Sequence, residues 1–188
     1  MFVKSWKISN FSSYFFTMRL LPVLLILSLH AFSQEKPNII YIMSDDHDAD
    51  AISAYNKSLI QTPGFDRIAN EGIRFNKCFV GNSICSPARA TLLTGQHSHK
   101  NGVKDNRTPF DGNRVTLPKL LTQAGYQTAV IGKWHLHSYP TGFDYWKILP
   151  GMGQYFDSRI ISMTGDTLTT SGYATDMITD EAISWLDH

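Results

Sequence analysis

The sequence predicts an α/β protein in which helices flank a central, largely parallel sheet. Segments of strand and helix character alternate along the chain, and the connections between them are short. The strand-like segments at residues 38–43 and 127–131 each end in polar side chains, which is where open α/β sheets place their ligands. Three strand-like segments make a thin core for such a fold, so we expect the sheet to be incomplete at its C-terminal end.

The first 33 residues have the pattern of an N-terminal extension and a secretory signal peptide. A charged residue after Met18 is followed by the apolar run 20–29 and then by Ala31-Phe32-Ser33, a small-x-small pattern. The run is too short to cross a bilayer comfortably. We therefore expect an exported protein, periplasmic or secreted, with a mature part covering residues 34–188 and no stable membrane insertion after cleavage.

The composition and charge narrow the range of partners. The chain is 43% apolar and 12% aromatic, which is ordinary for a globular protein. Loss of residues 1–33 removes three of the 17 basic side chains and none of the 16 acidic ones, which leaves 14 against 16. A chain so close to neutral argues against nucleic acid or an anionic membrane surface as its partner.

Two apolar segments in the first half predict strands. Residues 38–43 form a continuous run that is typical of a strand buried on both faces, and Asp45 and Asp46 follow it closely. Residues 73–80 begin with alternating apolar and polar side chains, as a strand does. Between these segments, a Thr-Pro start and a terminal glycine predict a short helix over residues 62–72.

A second helix is predicted from Cys85 to Gly95. Pro87 suits its first turn, and Gly95 suits the position just past its end. Cys85 then lies at the helix N-terminus, with Arg89 one turn further along the same face. An anion near Cys85 would meet free backbone N–H groups, the positive end of the helix dipole and a guanidinium. The segment therefore predicts a site for sulfate, phosphate or carboxylate.

The second half of the chain repeats the alternation. Residues 116–125 predict a capped helix, residues 127–131 a strand and residues 173–186 a final amphipathic helix. Residues 96–114 and 138–171 predict mostly loop, because turn-forming residues are frequent in both.

Cys78 and Cys85 are the two cysteines of the chain. In a chain exported to an oxidising compartment, a disulfide between them is one interpretation. Because Cys78 falls in a predicted strand and Cys85 at a predicted helix start, we favour two separate thiols.

Three polar clusters follow one another along this pattern: Asp-Asp at residues 45–46, Cys-Ser-Pro-Ala-Arg at residues 85–89, and Gly-Lys-Trp-His at residues 132–135. In these clusters the sequence resembles the type I sulfatases of the alkaline-phosphatase-like superfamily, and the resemblance covers nearly all of residues 37–188. It implies the layered α/β fold of that superfamily and the hydrolysis of sulfate esters.

The resemblance also implies a modified nucleophile and a metal. Cys85 would be oxidised to formylglycine by a formylglycine-generating or radical maturation enzyme. One hydroxyl of the hydrated aldehyde would attack sulfur, and the other would lose its proton and expel sulfate. A sulfate ester on an unmodified serine or cysteine would instead need water to attack a congested sulfur. Asp45 and Asp46, together with the modified Cys85, would bind one divalent cation, which we expect to be Ca²⁺.

The remaining roles that the resemblance implies belong to cationic side chains. Arg89 would hold the hydrate oxygen, Lys133 would bridge sulfate and nucleophile, and His135 would lie beside it. Taken alone, a helix arginine or a Lys-x-His pair is more often solvated surface, and an Asp-Asp pair can simply be a turn or an N-cap. Asn106 and Arg107, in the loop after the signature helix, are further candidates for contact with sugar hydroxyls.

The resemblance is partial, and it leaves alternatives for the substrate. The family places further metal and sulfate ligands far downstream, and nothing in the 188 residues matches them, so we expect an N-terminal portion of a longer enzyme. Residues 79–83 and 139–146 look most like carbohydrate sulfatases that remove 6-sulfate from N-acetylglucosamine in glycosaminoglycans. The alternatives are a phosphonate monoester or phosphodiester hydrolase, and a truncated, catalytically inactive protein.

Overall fold

The computed structural model describes residues 36–187, so the signal-peptide prediction for residues 1–33 lies outside the described residues. The chain divides into two compact units, with the boundary between Arg74 and Phe75. No helix within residues 36–187 is both long enough and apolar enough to cross a membrane.

In the first unit, the described residues form helix α1 (Pro63–Glu71), as predicted, after a short 3₁₀ turn at Ala49–Ala51. The start of α1 is fixed by Ser53, whose side chain is 1% exposed. Its backbone N–H donates to Thr62 Oγ1 at 2.9 Å and its hydroxyl donates to Asp66 Oδ2 at 2.8 Å. The Thr62 side chain therefore bonds to Ser53 in the turn before the helix and does not cap α1.

The predicted strand over residues 38–43 is wrong. These residues belong to no strand in the described part of the chain, and their large apolar side chains are exposed, from 38% at Met43 to 76% at Ile42. The predicted strand over residues 73–80 is wrong for the same reason, and Phe79 is 91% exposed. An apolar pattern becomes a strand only when a neighbour completes its backbone hydrogen bonds.

The second unit contains a four-stranded sheet in the order β1 (Ala129–Lys133), β2 (Tyr145–Leu149), β3 (Arg159–Ser162), β4 (Thr167–Thr169). The α/β class is confirmed, but the strand pairing differs from the prediction. β1 and β2 are parallel, whereas the β2–β3 and β3–β4 pairs are antiparallel. Three of these strands lie in residues 138–171, so the prediction of mostly loop is wrong there. The turn-forming residues of this segment separate short strands that pair with their neighbours.

The helices of the second unit follow the predictions closely. They are α2 (Cys85–Thr94), α3 (Ser98–Asn101), α4 (Leu117–Gln123) and α5 (Ala174–Leu186), and only the four-residue α3 falls in a segment predicted to be loop. Gly95 ends α2 in the left-handed conformation at φ 65°, as its predicted position requires. The buried core joins α2 to the sheet and consists of Ala90, Val103, Phe110, Trp134, Leu136, Trp146 and Ile148.

Candidate active site

Cys85 occupies the first position of α2, directly after the extended residue Ile84. Ser86, Pro87 and Ala90 are the buried residues of this helix, while Cys85 itself is half-buried. Its thiol and that of exposed Cys78 are both free, which confirms the interpretation as two separate thiols. The helix thus packs its next two residues inward and leaves the Cys85 thiol at the edge of the core.

More of the backbone N–H groups at the N-terminus of α2 are hydrogen-bonded within the protein than the sequence predicts. The N–H of Ser86 donates to Asn106 Oδ1 at 2.9 Å, Pro87 has no N–H, and the N–H of Ala88 donates to Ile84 O at 3.0 Å. The expectation that an anion near Cys85 meets several free N–H groups is therefore wrong at these positions. Attraction of an anion rests instead on the helix dipole and on nearby cationic side chains.

The polar cluster after β1 alternates between core and surface. Trp134 is 6% exposed and Leu136 is fully buried, whereas Lys133 and His135 are half-buried and His137 is exposed. The alternation continues past the strand, where His135 and His137 adopt left-handed backbone conformations, with φ of 48° and 54°. Such values are uncommon outside glycine and are found most often where surrounding contacts hold them in place.

Hydrogen bonds from three directions hold this turn. The Trp134 indole N–H donates to Ser138 O at 2.6 Å, and the Phe110 N–H donates to Leu136 O at 2.9 Å. The buried hydroxyl of Ser86 donates to His135 O at 2.6 Å. The residue next to Cys85 is therefore bonded directly to the turn that bears His135.

Four of the predicted site residues come together at this point. Lys133 Nζ lies 3.8 Å from Cys85 Sγ, and the Arg89 guanidinium donates to the backbone carbonyl of Lys133. His135 is attached to the same place through Ser86. The Lys133 ammonium and the N-terminus of α2 therefore lie at the Cys85 thiol, with the Arg89 guanidinium anchored on the Lys133 carbonyl, an arrangement that favours a bound anion.

The short loop of residues 105–108 contacts the N-terminus of α2. Asp105 Oδ1 accepts hydrogen bonds from Arg107 N, Thr108 N and Thr108 Oγ1 at 2.8–2.9 Å. These bonds, led by the one from the Arg107 N–H, lower the pKa of Asp105 below its ordinary value of 3.8. The loop they shape presents Asn106, which binds Ser86 N–H with its side chain and the His137 ring with its carbonyl oxygen.

The structure gives Asn106 a contact that the sequence did not predict. It was a candidate for contact with sugar hydroxyls, but the structure places its amide oxygen on the backbone of α2. The local signal was the Asp-Asn-Arg-Thr sequence of residues 105–108, which is typical of a side-chain-bonded turn.

Asp45 and Asp46 lie in the first unit, and both are exposed. Asp46 has a left-handed backbone with φ 50°. The next two residues act locally: the His47 ring contacts Ala51 O at 3.3 Å, and Asp48 accepts from Asp50 N at 3.0 Å. Within residues 36–187, no three His, Cys, Asp or Glu side chains lie close enough together to hold a metal ion.

The family model for sulfatases matches residues 37–188, which include all three polar clusters. The chain belongs to the sulfatase family. In this family it is similar to the N-acetylglucosamine-6-O-sulfatase of Bacteroides thetaiotaomicron, with 54% identity over 157 residues, covering 82% of this chain and 28% of that protein. It is also similar to the N-acetylgalactosamine-6-sulfatase of Rattus norvegicus, with 36% identity, covering 68% of this chain and 28% of that protein.

The sulfatase fold is matched by solved structures as well. The structure of BT4656 in complex with its substrate D-glucosamine-2-N,6-O-disulfate superimposes with a TM-score of 0.79 at 54% identity, covering 82% of this chain and 32% of that one. This chain thus spans about a third or less of the length of the sulfatases it matches.

Proposed function

We propose that this chain forms the nucleophile-bearing part of a sulfuric ester hydrolase that acts on sulfated carbohydrates, with 6-O-sulfated N-acetylglucosamine of glycosaminoglycans as its substrate. The observation on which this rests is the placement of Lys133 Nζ 3.8 Å from Cys85 Sγ at the N-terminus of α2. The choice of sugar is supported by 54% identity to a protein named N-acetylglucosamine-6-O-sulfatase.

The surroundings of Cys85 fit its conversion to formylglycine. The thiol is free and half-buried, and it is the first residue of its helix rather than part of the core. Once formed, the hydrated aldehyde would supply an oxygen nucleophile with its own route for releasing sulfate.

The neighbouring side chains bind and orient the sulfate ester. The Lys133 ammonium provides positive charge next to position 85, and Arg89 provides a second cation whose guanidinium is anchored on the Lys133 carbonyl. His135 is joined to this cluster through its backbone carbonyl, which accepts from the Ser86 hydroxyl, and its side chain is a third candidate to contact the sulfate group. Together they stabilise the negative charge of the sulfate group and of its transition state.

Asp45 and Asp46 fit the donor chemistry of Ca²⁺, because both are exposed carboxylates and Ca²⁺ prefers oxygen ligands. Two residues fall short of the roughly six to eight oxygen ligands that Ca²⁺ takes, so further ligands are needed. When bound, the ion would neutralise negative charge at the site. We further propose that a signal peptide directs export and that a maturation enzyme is a transient partner.

The test uses the full-length protein produced with a maturation enzyme. We expect sulfate release from 6-O-sulfated N-acetylglucosamine, and loss of about 10⁴-fold or more in kcat for Cys85→Ala. Cys78→Ala is the matched control and keeps wild-type activity, because Cys78 is an exposed free thiol. Peptide mass spectrometry should show residue 85 about 18 Da lighter than cysteine.

Two results would overturn this proposal. Faster turnover of an aryl phosphodiester than of any sulfate ester would indicate a phosphodiesterase of the same superfamily. An unmodified thiol at Cys85 in protein from the native host would indicate an inactive protein.

A further inference from the structure

We infer that Ser86 and Asn106 are positioning residues of the active site, which hold the end of α2 that bears Cys85 against the turn that bears His135. The inference rests on the proposed function. Ser86 and Asn106 do not contact the thiol in this assignment; they act on it through the backbone of α2 and through the His135–His137 turn.

Ser86 is the central residue of this arrangement. It is fully buried and uses both of its donors at once, its N–H toward Asn106 Oδ1 at 2.9 Å and its hydroxyl toward His135 O at 2.6 Å. Since Ser86 follows Cys85 in the chain, these two bonds fix the backbone from which the Cys85 side chain extends. A buried serine with both groups bonded has little freedom to move.

Asn106 also links α2 to the turn that bears His135 and His137. Its amide oxygen binds α2 through Ser86, and its backbone carbonyl contacts the ring of His137. The Asx turn at Asp105 sets the direction of Asn106 by accepting from Arg107 N and Thr108 N, both at 2.9 Å. Helix end, loop and turn therefore meet in one hydrogen-bond network.

The arrangement matters because the reacting groups come from different elements. Cys85 belongs to α2 and Lys133 to the end of β1, and their side chains are 3.8 Å apart. A displacement of about 1 Å between such groups is enough to lower a rate by about 100-fold. The Ser86–Asn106 pair joins the two elements next to this contact, so its loss should affect kcat more than substrate binding.

The test compares four variants of the full-length, matured enzyme on 6-O-sulfated N-acetylglucosamine. Asn106→Leu removes the acceptor for Ser86 N–H, and we expect kcat to fall about 10- to 100-fold with KM within about twofold. Asn106→Asp keeps an acceptor at the helix N-terminus and should recover kcat to within about threefold of wild type. Ser86→Ala removes the bond to His135 O and should lower kcat about 10-fold.

Asn113→Leu is the matched control, because Asn113 is exposed and donates to Asp111 through a backbone N–H that leucine keeps. The formylglycine content of every variant is measured by peptide mass spectrometry, and kcat is expressed per modified enzyme. A maturation defect is thereby separated from a positioning defect.

The outcomes distinguish this inference from the proposed function. An inactive wild-type enzyme with modified Cys85 would overturn the proposed function and the inference with it. An active wild type in which Asn106→Leu or Ser86→Ala keeps wild-type kcat would overturn the inference alone. Should Asn106→Leu fail to fold, Ser86→Ala decides, since it leaves the bond between Asn106 and α2 in place.

Discussion

Two polar clusters follow apolar segments in this molecule, and they are held in different ways. Lys133 ends a strand that is paired with β2 and His135 follows it closely, and the side chains between and after them, Trp134 and Leu136, are almost completely buried. Asp45 and Asp46 follow an apolar run, residues 38–43, that is exposed throughout. The sequence signals are similar, yet only one cluster is fixed by packing among the described residues. Packing of the neighbouring residues determines where a site residue lies.

The cluster after β1 also gains its order from elements distant in the chain. Ser86, Arg89 and Phe110 all donate hydrogen bonds to backbone carbonyls of residues 133–136. In the first unit, the bonds of His47 and Asp48, the two residues after Asp45 and Asp46, span four and two residues. Substitutions in each cluster, and in the residues packed around it, test this comparison through enzyme activity and the free energy of unfolding.

The largest effect is expected for the exposed cluster, in activity rather than stability. Asp46→Asn in the full-length enzyme should lower kcat/KM about 1,000-fold, because a bound metal supplies several kcal/mol of transition-state stabilisation. Removal of Ca²⁺ with a chelator should have a similar effect, and added Ca²⁺ should reverse it. Steady-state kinetics against free Ca²⁺ measures both.

Asp48→Asn is the matched control, since an asparagine oxygen still accepts from Asp50 N at the short turn and activity should be unchanged. Wild-type kinetics and unchanged Ca²⁺ dependence for Asp46→Asn would contradict the assignment of a metal ligand.

The second effect is on stability and compares an apolar side chain next to each cluster. Leu136→Ala removes a fully buried side chain and should cost about 2–5 kcal/mol of unfolding free energy, because it leaves a cavity in the core. Ile42→Ala, at a side chain that is 76% exposed, should cost less than about 0.5 kcal/mol. Urea unfolding of the 188-residue chain measures both. Equal costs would mean that residues 38–43 are packed as tightly as the turn after β1, and the comparison would fail.

The same contrast explains how far the sequence predicts this fold. The helices were predicted well, because their signals are local: Pro63 and Pro87 in the first turn and Gly95 past the end of α2. The strand predicted over residues 127–131 lies at Ala129–Lys133, two residues later. Strands need partners, and the apolar pattern of residues 38–43 contains no information about where a partner lies.

The sequence motifs indicated residues that the structure brings together, but they did not indicate the contacts that support those residues. Cys85, Arg89, Lys133 and His135 meet as their motifs imply. The contact between Asn106 and Ser86 spans 20 residues and depends on a turn whose direction only the folded loop provides. The left-handed conformation of His135 likewise depends on contacts made after folding.

The third effect concerns the backbone just before Lys133. Gly132 has φ 108°, and a Cβ added there would lie 3.4 Å from the side chain of Ile178 on α5. Gly132→Ala should cost about 1–3 kcal/mol, because alanine is strained at this φ. Gly151→Ala is the control at φ 57° with nothing within 4 Å, and it should cost about 1 kcal/mol. Thermal unfolding ranks the two, and an equal or larger loss for Gly151→Ala would show that alanine is no more strained at φ 108° than at φ 57°.

The smallest effect compares one ion pair from each unit. Lys147 Nζ donates to Glu181 Oε2 at 2.7 Å and joins β2 to α5, with side chains 27% and 23% exposed, whereas the Arg67–Glu71 pair on α1 is 77% and 67% exposed. Glu181→Gln should cost about 1 kcal/mol, and Glu71→Gln less than about 0.5 kcal/mol, because solvent screens the exposed pair.

The pH dependence of stability should separate these two pairs further. Burial alone raises the pKa of Glu181, but hydrogen bonds from Lys147 and Tyr145 outweigh it and leave the pKa below its ordinary value of 4.5. The contribution of Glu181 is therefore complete above about pH 4.5 and is lost as the pH falls through the folded-state pKa. The bond to Glu181 raises the pKa of Lys147 above 10.5, so its contribution is lost only as the pH rises beyond that value. Urea unfolding from pH 3 to 7 should show a steeper acid loss for wild type than for Glu181→Gln. Parallel curves would show that the pair contributes nothing to holding α5 on the sheet beneath Lys133.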